Sequence, residues 1–153
     1  NNLENFYLWS LGSYKLILNN NNLNETNIIA RNFKNAELLN LALNKITNIS
    51  NGFFSSSFKL LELYLNSNNI MEIESEAFVN LKLLKKLDLS HNLIERINSN
   101  TLRTLSKLEY LNLSYNYLSF VDKSFFNTLH LLFKLDLSNN KLKSIEDFSF
   151  KNL

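Results

Sequence analysis

The sequence predicts an α/β solenoid, a curved stack of about six units with a short parallel β-strand from each on one side and irregular or 3-10 segments on the other. Three observations carry this. In LKKLDLSHNLIERI, Leu84 to Ile97, the apolar residues fall 3, 2, 4, 1 and 3 apart, a spacing neither helical nor alternating. The spacing recurs at a shift of 24 residues, in LLELYLNSNNIMEI from Leu60, LEYLNLSYNYLSFV from Leu108 and LFKLDLSNNKLKSI from Leu132. Each copy also holds one Asn inside its apolar set. A fixed period of this length marks a repeat architecture: no unit can bury its own apolar face, and stacking buries a continuous core.

Within each unit the L-x-L run is a short strand whose two Leu turn inward while the residues between and beside them turn out. The chain then turns, and the return arm brings further apolar residues into the interior. These are Ile73 and Leu81, Ile97 and Leu105, Val121 and Leu129, and Ile145 and Leu153, with Phe78, Leu102, Phe126 or Phe150 between them. The Asn belongs where the strand ends and backbone amides lose their sheet partners. Its side chain both donates and accepts, and a buried polar group has to be paired. Asn21, Asn44, Asn68, Asn92, Asn116 and Asn140 are therefore expected to form a ladder. On this placement Leu89→Ala is expected to cost about 2–5 kcal/mol in a denaturant melt, as a core truncation. Asn92→Ala is expected to cost about 1–3 kcal/mol, the range for one stranded partner.

Before residue 60 the pattern loosens. YKLILNNNNL fits around Leu16, Leu18, Asn21 and Leu23, but the next apolar residue, Ile28, comes two residues late. LLNLALNKITNI reads as two residues short between Leu43 and Asn44. Either Asn44 takes the Asn slot in a contracted turn, the preferred reading, or Ile46 replaces it. Residues 1–12 read as the end of a preceding unit, with Phe6, Tyr7 or Trp9 as its apolar filler. The expected organisation is one domain over 1–153, irregular over 1–59 and regular over 60–153.

These motifs resemble the leucine-rich repeat family, whose pattern is L-x-x-L-x-L-x-x-N-x-L. The 24-residue form with its Phe is similar to the typical class of extracellular receptors and adhesion proteins, such as Toll-like receptor ectodomains, insect adhesion proteins and secreted immune proteins. The resemblance covers almost the whole chain. It implies a fragment of a horseshoe, non-enzymatic protein binding through the concave strand face, and an extracellular or cell-surface location, with no cofactor. Arrays of this family usually end in Cys-bearing caps. This chain has no Cys, and its start, NNLENFYLW, has neither an initiator Met nor a signal-like segment. A piece of a longer array is expected; a small uncapped protein is the alternative.

Composition excludes several functions. With 45% hydrophobic and 20% charged residues the 153-residue chain can build a core. Its 16 basic and 14 acidic residues nearly balance and form no long run of one sign, so neither nucleic acid nor an anionic membrane is implied as a partner. No apolar run approaches the roughly 18 residues of a membrane span. Gly12 and Gly52, the two glycines, leave no phosphate-cradling loop. The absence of Cys excludes disulfides and thiolate metal sites. His91 and His130 are not at ligand spacing, so no metal is expected. Asp88 and Asp136 occupy one repeat position two strands apart, about 10 Å by strand spacing. With Lys86 and Lys134 beside them they read as a solvated salt-bridge lattice, not an acid/base pair. Ser90, Ser114 and Ser138 form a stripe with no base to activate one of them.

Binding is expected on residues the fold does not need. Across the strands these are Glu62, Lys86, Tyr110 and Lys134 in one row and Tyr64, Asp88, Asn112 and Asp136 in the next, with His91 and Tyr115 beyond. Tyr64, Tyr110 and Tyr115 carry most weight, since Tyr offers large rigid area with a polar tip; Tyr117 falls at the edge. Lys15, Ile17, Asn19 and Asn20 are weaker candidates. Glu62 is expected to meet Lys86, and Lys86 to meet Asp88, as exposed pairs worth about 0–1 kcal/mol each. Sequons at Asn24, Asn48 and Asn112 permit glycosylation if the chain is secreted. Asn24 and Asn48 are the candidate acceptors, because a glycan on Asn112 would obstruct the concave face. The expected partner is a protein ligand, with homodimerisation left open. The alternative function is a regulatory or scaffolding subunit docking an intracellular partner. A spacer holding other domains apart is a further reading; an enzyme would need a pocket of perturbed titratable groups.

Overall fold

A computed structural model of the chain describes residues 15–24, 33–122 and 124–144. The expectations for residues 1–12, Ile28, Ile145, Phe150 and Leu153 lie outside them. Strands β1 (Lys15–Ile17), β2 (Leu38–Asn40), β4 (Glu62–Tyr64), β6 (Lys86–Asp88), β7 (Tyr110–Asn112) and β8 (Lys134–Asp136) form one parallel sheet in that order. Leu16, Leu39, Leu63, Leu87, Leu111 and Leu135 share the central register. Their inward side chains join the return-arm residues in one core running the length of the stack. Two further strands, β3 (Asn48–Ile49) and β5 (Glu72–Ile73), pair in parallel on the return arm, a small second sheet that the repeat pattern does not announce.

The contracted turn expected between Leu43 and Asn44 is corrected. Leu39 pairs with Leu63, so Leu39 and Leu41 are the inward pair and no residues are missing. LLNLALN offers overlapping L-x-L choices, and Asn44 decides between them, because it sits three residues beyond the last inward Leu as Asn68 does after Leu65. Leu43 is left on the outside, 52% exposed.

Each ladder Asn from Asn44 to Asn140 reaches backward by one repeat. Asn92 is typical: its Nδ2 donates to Leu65 O and Leu89 O at 3.0 Å and to Ser90 O at 3.2 Å, and its Oδ1 accepts from Ile70 N at 3.0 Å. Asn44, Asn68, Asn116 and Asn140 repeat this, each donating to a carbonyl of the repeat before and accepting one of its N–H groups. Asn21 donates to Leu18 O and Asn19 O, but its Oδ1 is buried with no partner.

The turn that aims these side chains requires left-handed backbone. The residue before every ladder Asn has positive φ, between 53° and 57°: Asn20, Leu43, Ser67, His91, Tyr115 and Asn139. Asn tolerates this region through its short polar side chain, whereas a β-carbon otherwise costs about 1–2 kcal/mol there. Leu43 gains little in return, because its side chain is more than half exposed. Leu43→Asn is therefore expected to stabilise by about 1 kcal/mol, raising Tm by roughly 2–4 °C; a melting curve that falls instead would place Leu43 in a contact the exposed side chain does not show.

Aromatic residues fill the turn side of the core. Phe54 and Phe78 stack with ring centroids 5.9 Å apart and planes at 27°. Leu102 and Phe126 follow at the same place in the next two repeats, all four fully buried. The 3-10 helix Ser99–Leu102 carries Leu102 inward and is capped by Asn98, whose side chain accepts from Asn100 N.

Candidate functional site

Strand alternation puts the residues beside each inward Leu on the open, concave face, and the parallel register sets equivalents side by side. Glu62, Lys86, Tyr110 and Lys134 are aligned across β4, β6, β7 and β8, as are Tyr64, Asp88, Asn112 and Asp136. The contacts they make differ from the expected salt-bridge lattice. Lys86 Nζ lies 4.9 Å from the Tyr64 ring centroid and 5.0 Å from that of Tyr110, and Lys134 Nζ lies 5.1 Å from Tyr110. The result is an unbroken row, Tyr64–Lys86–Tyr110–Lys134, of ring and ammonium in alternation. Each such contact is worth about 0.5–1 kcal/mol at an exposed site. Tyr64 OH donates to Glu62 Oε2 at 2.6 Å, locking the near end. Burial and the Glu62 hydrogen bond push the Tyr64 phenol above its ordinary value. The hydrogen bond to Tyr64 raises the Lys86 ammonium. The Tyr64–Lys86 contact therefore lends stability that is present below pH 10.0, the ordinary phenol value, and lost as pH rises through the higher folded values.

The expected Glu62–Lys86 and Lys86–Asp88 ion pairs do not form; among the described residues the ion pair is Lys85–Glu109, at 2.9 Å. Asp88 is used by its own turn, where its Oδ1 accepts from Ser90 N and Ser90 Oγ. Asn112 does the same for Ser114. Asp136 accepts from Ser138 N, and Asn40 from Ala42 N. A short Asx side chain closing on the backbone two residues ahead is favoured wherever a strand ends in a turn. The second row is thus in part a set of strand caps, and the serine stripe supplies their donors. The Ser138 hydroxyl and amide hold the Asp136 carboxyl below its ordinary value. The stability this adds is present above pH 3.8, the unperturbed value, and lost as pH falls through the lower folded value. Asp136→Asn is expected to keep the cap, as Asn112 does, and to remove that acid limb. A carboxyl titration by NMR that finds Asp136 at its ordinary value would contradict the hydrogen bonds.

Beyond the strands, His91 and Tyr115 stack with centroids 4.2 Å apart and planes at 10°, and Tyr115 is half exposed. They occupy successive left-handed turn positions, which brings them together. Tyr117 lies on the flank, under Lys141 Nζ at 4.3 Å. His130 is exposed on a turn. Lys15 and Ile17 are exposed on β1. Asn24 is half-buried and the rest of its sequon lies outside the described residues. Asn48 is half-buried in β3 with its Oδ1 shut from solvent and unpaired. Among the described residues no group of three or more His, Cys, Asp or Glu is placed to hold a metal, and no helix is long and apolar enough to cross a membrane.

A family profile described as leucine rich repeat matches residues 58–118 and 111–153, more than half of the chain. No curated protein matches the sequence. Among solved structures, a leucine-rich repeat protein of Leptospira interrogans is 31% identical, covering 91% of this chain and 35% of that one, with a TM-score of 0.76. The structure of TLR13 in complex with ssRNA13 is 28% identical, covering 75% of this chain and 17% of that one, with a TM-score of 0.67. The chain spans about a third of the first and about a sixth of the second.

Proposed function

Because the chain belongs to the leucine-rich repeat family, we propose that it is a non-enzymatic recognition module whose concave face holds a protein ligand, in a receptor or adhesion ectodomain. Repeats of this fold generally mediate protein–protein binding. The observation that carries the reading is the row Tyr64–Lys86–Tyr110–Lys134 with the His91–Tyr115 stack beyond it. Rigid Tyr side chains gathered on one face are a residue type enriched among the hot spots that dominate binding energy at interfaces. Asp88, Asn112 and Asp136 flank the row as its rim. The likeness to TLR13, a receptor bound to RNA in its structure, supports the ectodomain reading and makes nucleic acid the competing ligand to assay.

The test is capture of a partner, followed by affinities for the wild type and for Tyr64→Ala/Tyr110→Ala/Tyr115→Ala, both checked as folded by circular dichroism. Loss of tenfold or more, about 1.4 kcal/mol, is expected; unchanged affinity would make the face scaffold. Glycan occupancy at Asn24 or Asn48 in secreted material would show passage through the secretory route, against an intracellular regulatory subunit.

A further inference from the structure

Beyond β5 the described return arms are no longer joined by backbone hydrogen bonds. Between residues 71–75 and 95–98 lies a cleft of about 1050 Å³. One side-chain tie separates this place from the repeat before it. Glu74 reaches back one repeat, where its Oε2 accepts from Asn51 N at 2.7 Å, and Asn51 Oδ1 accepts from Glu76 N at 2.9 Å. This double tie clasps the arms next to the β3–β5 pair. In the following repeat the place of Glu74 is taken by Asn98, whose shorter side chain turns instead on its own Asn100 N at 2.9 Å. Among the described residues no backbone hydrogen bond joins 71–75 to 95–99, and the small sheet stops at β5.

The cleft therefore presents an open strand edge, which pairs readily with extended chains. Its apolar lining is Met71, Leu93 and Tyr117, all exposed, and the half-buried Ile97. Its charged residues are Glu72, Glu74 and Glu95 against Arg96 and Lys141, and the Lys141 ammonium is already set over Tyr117. We propose that the cleft takes an extended peptide segment of a partner protein, alternating apolar with basic residues, as a third strand on the β3–β5 sheet. Main-chain hydrogen bonds to β5 hold it. Its apolar side chains meet Met71 and Leu93, and its basic ones meet Glu72 and Glu95. This surface lies off the concave face and is independent of what binds there.

The test uses the 153-residue chain with labelled short peptides, one alternating Val with Lys and one alternating Val with Glu. The Val/Lys peptide is expected to bind and to slow amide exchange over residues 72–75. Leu93→Asp is expected to weaken binding about tenfold or more. Asn98→Glu, which restores the tie to the neighbouring arm, is expected to abolish binding with the melting temperature kept. Should Asn98→Glu fail to fold, Leu93→Asp on the exposed rim decides alone. Any of four results overturns the proposal: no binding, preference for Val/Glu, equal binding of a backbone N-methylated peptide, or protection that maps to β4–β7.

Discussion

Asn92→Ala is expected to destabilise the protein by roughly 1–3 kcal/mol, the range for one stranded buried partner. The side chain is 4% exposed and makes four hydrogen bonds. Its removal strands Ile70 N–H in the interior of the neighbouring repeat, at about 1–3 kcal/mol, while Leu65 C=O keeps its bond from Asn68 Nδ2 at 3.0 Å. Asn21→Ala is the control, because its Oδ1 has no partner to strand; it should cost distinctly less. Asn92→Asp sharpens the test. Its carboxylate would face the carbonyls of Leu65, Leu89 and Ser90, and both burial and those oxygens favour the protonated acid. The folded pKa is then raised, so the variant should be most stable at low pH and lose stability as pH rises through that value. Urea melts at pH 4 and pH 8 would show it; equal stabilities would mean that the site admits water.

Phe78→Ala should cost about 3–5 kcal/mol, the range for deleting a buried aromatic ring. Phe78 is fully buried and stacks on Phe54, and its carbonyl accepts from Thr104 Oγ1 of the next repeat at 3.3 Å. The deletion therefore opens a void shared by neighbouring repeats, and in a linear array each repeat is held only by its neighbours. Phe133→Ala, at a position 78% exposed, should be nearly neutral in the same denaturant melt. Similar losses at the two positions would mean that the ring-filled turn side is not where the stability resides.

The solenoid was legible because Leu and Asn at fixed spacing admit few other packings. What was misread follows from local degeneracy. Around Leu39, Leu41 and Leu43 two overlapping L-x-L strands are written, and the choice rests on which Leu lets Asn44 reach Leu18 O. The face was harder. The spacing paired Lys86 with Glu62 and Asp88 and gave no sign that it would turn to the rings of Tyr64 and Tyr110. Asp88 is withdrawn by the Ser90 donors two residues on, a motif visible in the sequence as Asx-x-Ser, and the ammonium is left to the rings. The cleft had its own signal, Asn98 standing in the place of Glu74. The apolar spacing of Ile94 and Ile97 hid it by copying Ile70 and Ile73.

The ladder Asn from Asn44 to Asn140 all point the same way along the stack, so the array has a direction that its leucines alone do not give it. A cut between any two repeats leaves chemically unlike faces: one carries Asn side chains that have lost their partners, the other carries the carbonyls and amides they served. Two such faces mate head to tail and never head to head. Contact between such faces is heterologous, and gives a ring or a filament according to whether its rotation closes. A symmetric dimer of this chain would have to form through its sides.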